Sequence, residues 1–140
     1  GLTFSNIDVS WEDGFWREPI HENGNWEWPY RGVPRETAPN PEIGNAMVFD
    51  DVHDLHIDNL RAKPSGQADA VIWMKNVRGA LIESSTAQPS TEAFLEVTGN
   101  SSEGISLMGN ALRHARADVR SGSGAPKSAV KRYSTKADRP

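Results

Sequence analysis

The stretch Phe49-Asp50-Asp51-Val52-His53-Asp54-Leu55-His56-Ile57-Asp58-Asn59 decides the fold, because its apolar pattern recurs along the chain. At a spacing of 25 residues, without gaps, its two central apolar positions meet apolar residues in two later copies. The first series is Leu55, Ala80 and Ile105, and the second is Ile57, Ile82 and Leu107.

Flanking positions follow the same frame. The upstream series are Met47, Ile72 and Val97, then Phe49, Met74 and Gly99, then Val52, Val77 and Ser102. After the last apolar pair come Asn59, Ser84 and Gly109, and Asn59 is a candidate for a turn, since Asn tolerates left-handed backbone. An earlier copy places Leu2 and Phe4 opposite Leu55 and Ile57.

Each copy is predicted to contain two short strands, because its apolar residues alternate at a period of two. The strands Met47–Phe49 and Leu55–Ile57 are separated by a corner at Asp51 to Asp54. A helical repeat disagrees with this period, whereas a β-sandwich also has short strands and frequent turns. The shared register favours an all-β, right-handed parallel β-helix of about four coils, with stacked core ladders.

Two segments depart from the repeat. Residues 11–45 are rich in aromatic residues, Gly and Pro without periodicity, and are expected to form a long loop insertion in the coils of residues 1–120. Residues 121–140 contain Ser121-Gly122-Ser123-Gly124 and are expected to form a linker-like tail. The stretch from Asn110 to Val119 could be a helical turn or a cap on the last coil.

Composition excludes several classes of function. The chain has no cysteine, so neither disulfides nor thiolate metal sites are possible. A net charge of −4 argues against binding to nucleic acid. No apolar run is long enough for a membrane span. No signal peptide is visible before the strand-like start at Gly1, so the chain is expected to be part of a longer one.

Acidic residues suggest a possible glycosidase site, which needs a pair of carboxylates on a cleft wall. Asp50-Asp51 is the obvious pair, with His53, Asp54, His56 and Asp58 nearby. If Leu55 and Ile57 face inward, His56 and Asp58 face outward together. A solvated face and a corner rich in Asp have the same pattern, so no catalytic residue is assigned. No metal site is assigned to His53, Asp54 and His56, because nothing fixes the geometry of a third ligand. No cofactor is predicted.

The aromatic insertion is the stronger candidate for a binding site. Aromatic rings stack on the C–H faces of sugars, and Arg pairs with carboxylates. The alternative is that the rings only pack the insertion against the coils. The predicted substrate-binding residues are Trp16, Trp26, Trp28, Tyr30, Arg31 and Arg35.

The coil motifs resemble the last coils of glycoside hydrolase family 28, the polygalacturonase family. The likeness is carried by Gly1 to Ile7, by Phe49 to Asn59 and by Ser102 to Asn110. It covers about residues 1–10 and 40–120 and is more specific for the fold than for an activity. The family's Asn-Thr-Asp, Asp-Asp, Gly-His-Gly and Arg-Ile-Lys motifs are not found, since Asp50-Asp51 lies in a different context.

The resemblance implies a secreted or periplasmic parent enzyme that hydrolyses pectic polysaccharide by inversion. This chain would supply scaffold and a glycan-contacting loop, stacked on upstream β-helix coils, and would be inactive alone. Two other hypotheses stay open: a carbohydrate-binding module that stands alone, and a purely structural solenoid.

Overall fold

The chain forms a parallel β-solenoid, in which strands from successive turns stack in two sheets. The computed structural model describes residues 1–10, 44–64 and 69–133. Sheet A contains β1 (Leu2–Val9), β3 (His53–Ala62), β5 (Arg78–Glu83), β8 (Glu103–Met108) and β10 (Val130–Tyr133), in that order. Sheet B contains β2 (Met47–Asp50), β4 (Ala70–Lys75), β7 (Thr91–Thr98) and β9 (Ala115–Ser121). The chain makes about three turns, close to the predicted four coils, so the predicted solenoid is confirmed. Its right-handedness stays a prediction.

The register of sheet A is the one that the sequence predicts. Leu55 pairs with Ala80, which pairs with Ile105, and Leu2 pairs with Leu55. These pairs hold inward-facing side chains, because residues of the same face recur at every second position of a strand. The predicted ladders therefore form one wall of the core.

The register of sheet B differs from the prediction by two residues at one step. Ile72 pairs with Leu95, and Met74 pairs with Val97, so the predicted pairings of Ile72 with Val97 and of Met74 with Gly99 are wrong. The corner between β7 and β8 is longer by two residues than the corner between β4 and β5, and the preceding connection is shorter by two. A shift of two residues keeps the same face inward, so the core tolerates it.

A third side of the coil begins at a residue with left-handed backbone. The φ angles are 56° at Asn6, 57° at Asn59, 54° at Ser84 and 61° at Gly109, so the predicted turn ladder is confirmed. Asn59 Nδ2 donates to Asn6 Oδ1 over 2.9 Å, which links two turns. Beyond this bend the short strand β6 (Thr86–Ala87) pairs with the end of β3.

The corner after sheet B also uses left-handed backbone. Asp51, Asn76 and Gly99 have φ angles of 57°, 53° and 86°. Asn and Asp adopt this conformation more readily than other side chains do, and Gly adopts it without a steric penalty. The corners therefore explain why these residue types recur outside the apolar ladders.

The core lies between the two sheets and consists of apolar ladders. Ile57, Leu60, Ile72 and Ile82 have no solvent-exposed surface. Burying one such side chain contributes about 1.5–3 kcal/mol relative to leaving it in water. Two buried hydroxyl groups accept hydrogen bonds from the backbone of the preceding turn: Ser85 Oγ from Leu60 N over 3.0 Å, and Ser102 Oγ from Val77 N over 3.3 Å. Each turn is thereby held by apolar packing and by hydrogen bonds to the next.

The solenoid continues into the segment that was predicted as a linker-like tail. After β9, a short 3-10 helix (Lys127–Ala129) leads into β10, whose Val130 pairs with Ile105. Ala115–Ser121 is a strand, so of the two alternatives for the stretch from Asn110 to Val119, a helical turn or a cap, the helical turn is wrong. The sequence from Ser121 to Pro126 forms the corner between two strands of the last turn.

Candidate functional site

The substrate-binding residues predicted from the sequence lie outside the described residues. They belong to the aromatic part of the predicted insertion, residues 11–45. Of this insertion, the structure describes only residues 44 and 45. Their role in binding stays a prediction, and they are Trp16, Trp26, Trp28, Tyr30, Arg31 and Arg35.

The Asp50-Asp51 pair is placed at a corner of the coil. Asp51 has left-handed backbone, and its Oδ1 accepts a hydrogen bond from Nη2 of Arg78 over 2.8 Å. Asp50 is the last residue of β2 and pairs in register with Lys75. Asp51 therefore links its corner to the next turn. Asp50 and Asp51 have different partners, and no contact shows that the two carboxylates work together.

The outer face of sheet A carries a polar group around His56. Its Nε2 lies 2.7 Å from Oε2 of Glu83, and the two side chains are 38% and 32% exposed. Glu83 pairs in register with Asp58, so the two carboxylates occupy neighbouring strands, as parallel stacking requires. His56 lies on the outer face as predicted from the alternation, but Glu83 was missed because it belongs to the next turn.

The outer face of sheet B carries the one tryptophan within the described residues, Trp73. In register across four strands, this column consists of Val48, Trp73, Glu96 and Arg120. Trp73 Nε1 donates to Oε2 of Glu96 over 3.1 Å. Arg120 Nε donates to the other oxygen of that carboxylate, Oε1, over 2.5 Å.

These bonds fix the indole of Trp73 by its polar edge. Glu96 uses both carboxylate oxygens, one on the indole and one on the guanidinium, and its own side chain is 20% exposed. A charge-assisted bond between Arg and a carboxylate is stronger than a neutral one, so Glu96 is well held. The arrangement restricts rotation of the ring. The side chain is half-buried, so part of its surface stays exposed to solvent.

The surroundings of Trp73 combine an apolar surface with charge. Val48 is 44% exposed and precedes Trp73 in the same column. In the adjacent column, Asp50 and Lys75 are both exposed. An aromatic ring beside exposed charged groups matches what a sugar requires: a C–H face to stack and hydroxyls to bond.

Trp73 was missed in the sequence, although a signal was present. It stands between Ile72 and Met74, both of which have no exposed surface. Because side chains alternate across a strand, a tryptophan between two core residues must lie on the outer face. The predicted core positions were sufficient to locate it.

Among the described residues, no three His, Cys, Asp or Glu side chains are placed to hold a metal ion together. Nor does any helix in that part of the chain have the length and apolar character needed to cross a membrane. No family model, curated protein or solved structure matches the chain.

Proposed function

We propose that this chain is a coil segment of a polysaccharide-binding β-solenoid, and that the outer face of sheet B contacts the glycan at Trp73. The observation that carries the proposal is the hydrogen bond of 3.1 Å that fixes the indole to Glu96 on the outer face. A ring that only filled the core would point inward, as its neighbours Ile72 and Met74 do. A fixed ring loses little conformational entropy when a ligand binds to it.

An extended polymer suits this face better than a small ligand does. The column from Val48 to Arg120 crosses four parallel strands, and strands in a sheet repeat every ~4.8 Å. A glycan that lies along the column meets the apolar surface of Val48 and Trp73, and reaches Lys75 in the adjacent column. Lys75 provides a cation for an acidic glycan such as pectic polysaccharide.

The parent of this segment is proposed to be a secreted or periplasmic glycoside hydrolase that resembles family 28 and acts on pectic polysaccharide. The resemblance of the coil motifs supports this, and the missing family motifs support a segment without catalytic activity of its own. A further coil packed against β1 fits the same proposal. Leu2 is 45% exposed, whereas its register partner Leu55 is 2% exposed.

The test is affinity electrophoresis of the full chain through gels that contain polygalacturonan, pectin or a neutral plant glycan. We expect retardation by an acidic glycan, and we expect Trp73→Ala to weaken it about tenfold, as loss of a stacking ring does. The matched control is Leu81→Ala, because Leu81 lies outward on sheet A, in register with His56. Equal retardation of wild type and Trp73→Ala would refute the role of sheet B.

Two further outcomes separate the competing functions. No retardation by any glycan would favour a purely structural solenoid. Release of reducing sugar by the chain alone, abolished by Asp50→Asn or Asp51→Asn, would overturn the proposal that the segment lacks catalytic activity.

A further inference from the structure

A cavity of about 250 Å³ lies at the C-terminal end of the stack, outside the face that carries Trp73. It is bounded by the last core ladder, by the turn before β9 and by β10. Its apolar lining comes from Leu107 and Leu112. Its polar lining includes Arg113, Asp118, Arg132 and Tyr133.

The position of Arg132 is unusual for this fold. It pairs in register with Leu107, so it occupies the inward-facing ladder that apolar residues fill in the preceding turns. A guanidinium above a core ladder loses part of its hydration, which is unfavourable. Such a side chain is stable there only if its charged group reaches water or a hydrogen-bond partner. Its side chain is 60% exposed, so the charge lies at the mouth of the cavity.

The cavity has an excess of positive charge. The nearest anion to Arg132 is Asp118, whose Oδ2 lies 3.8 Å from Nη1. This distance is beyond that of a hydrogen bond, so the guanidinium keeps its donors for another acceptor. Arg113 adds a second guanidinium to the same lining, and among the described residues the lining has one carboxylate, that of Asp118.

A second cavity increases this excess. It has a volume of about 290 Å³, shares Arg132 with the first, and is also lined by Lys127. Among the described residues, three exposed cations and one carboxylate therefore line the two cavities of the last turn. An anion that enters this space meets net positive charge on both sides of Arg132.

We infer that the first cavity binds a small organic acid, in which one carboxylate is attached to a compact apolar or aromatic body. The planar fork of a guanidinium matches a carboxylate with two parallel hydrogen bonds. The hydrocarbon of Leu107 and Leu112 favours a ligand with an apolar body over a bare inorganic anion. The volume is below the ~300–1,000 Å³ of most ligand pockets, which limits the body to about one ring.

The competing explanation is that Arg132 only covers the core. Its aliphatic stem can shield Leu107 while its charge stays in water. That role predicts a loss of stability on mutation but no saturable binding of any acid. Ligand binding and stability therefore distinguish the two explanations.

The test is a titration of the full chain with benzoate, benzamide and inorganic phosphate, followed by protein NMR. Benzamide has the shape of benzoate without its charge, and phosphate has charge without an apolar body. We expect saturable shifts with benzoate at signals from the cavity lining, and binding about tenfold or more weaker for the other two probes. Equal binding of benzamide or phosphate, or no saturable shift with benzoate, would overturn the inference.

Substitution of Arg132 and of Arg113 tests whether these two residues bind the carboxylate of the ligand. Arg132→Gln and Arg113→Gln are each expected to weaken benzoate binding about tenfold, since each removes one charge-assisted contact. Arg113 lies in an exposed turn, so its variant tests the site even if Arg132→Gln disturbs the last turn. The control is Arg116→Gln, because Arg116 is 81% exposed and lines neither cavity. Unchanged benzoate binding in Arg113→Gln would refute the site, and retention by glycan gels is expected to be the same in all these variants.

Discussion

Replacing Gly99 with alanine tests the geometry of the corner after sheet B. The backbone of Gly99 has a φ of 86°, and a Cβ placed there would lie 2.9 Å from the backbone nitrogen of Asn76 in the preceding turn. It would also lie 2.2 Å from Oδ1 of Asn76. The substitution therefore combines an unfavourable backbone conformation with a direct collision between turns.

The magnitude follows from three contributions. Left-handed backbone costs an alanine about 1–2 kcal/mol. Moving the backbone of Asn76 adds about 1–3 kcal/mol, as overpacking does elsewhere. Displacing its side chain breaks the bond of 3.1 Å from Ser101 N to Asn76 Oδ1, which adds about 0.5–1.5 kcal/mol. We expect Gly99→Ala to lower the free energy of unfolding by about 3–6 kcal/mol.

Gly104→Ala is the matched control. Gly104 has a φ of 64°, but a Cβ there would approach the preceding turn no closer than 3.6 Å, at the backbone nitrogen of Gly79. It carries the same conformational penalty without the collision, so we expect a loss of only about 1–2 kcal/mol.

Urea denaturation followed by circular dichroism measures both variants. The comparison is valid if the dependence of the unfolding free energy on urea concentration is unchanged, since that slope reports the surface exposed on unfolding. Equal losses for the two variants would show that the close approach of Gly99 to Asn76 does not govern stability. A loss below about 2 kcal/mol for Gly99→Ala would have the same meaning.

Three further substitutions test the core and its hydrogen bonds, each by urea denaturation. Ile82→Ala should cost about 2–5 kcal/mol, because Ile82 has no exposed surface and its removal leaves a cavity in the ladder; a loss under about 1 kcal/mol would contradict that packing. Asn110→Ala should cost about 1–3 kcal/mol, since its Oδ1 accepts from Ser85 N over 2.8 Å and that donor would lose its partner. Ser102→Ala should cost about 1–2 kcal/mol, because the buried hydroxyl accepts from Val77 N and donates to Thr98 O. The outward-facing Ser106→Ala should have little effect and serves as the control for both polar variants.

The sheet A register and the left-handed turn at Asn59 could be predicted because both recur at the same spacing. Because the coil repeats, equivalent positions can be compared in several copies. The alternation of apolar residues then indicates which face of each strand lies inward. The spacing failed between β4 and β7, where two residues were lost from one connection and added to the next corner. A gap-free alignment assigns Gly99 to a strand position, although it belongs to the corner.

The last turn was missed because its interior is only partly apolar: Val119 and Val130 pack against the core, but polar residues fill other inward positions. Arg132 takes the ladder position of Leu107, and Ser121 takes that of Val97. A pattern based on hydrophobicity ends where polar residues enter the inward positions. Side-chain contacts between turns could not be predicted from the sequence either. The contact of Glu83 with His56 depends on the rotamers of the two side chains, not on their spacing.

The compensated shift in sheet B also bears on how this chain tolerates insertions and deletions. A change of two residues in one connection, balanced at the following corner, returns every downstream strand to its original face. The next turn shows the same compensation with one residue: Leu95 pairs with Val119, 24 positions later, and a corner longer by one residue lets Val130 pair with Ile105 at the spacing of 25. Length variation among relatives of this sequence is therefore expected as a loss in one connection balanced by a gain at the following corner, and alignments of its turns need paired gaps there.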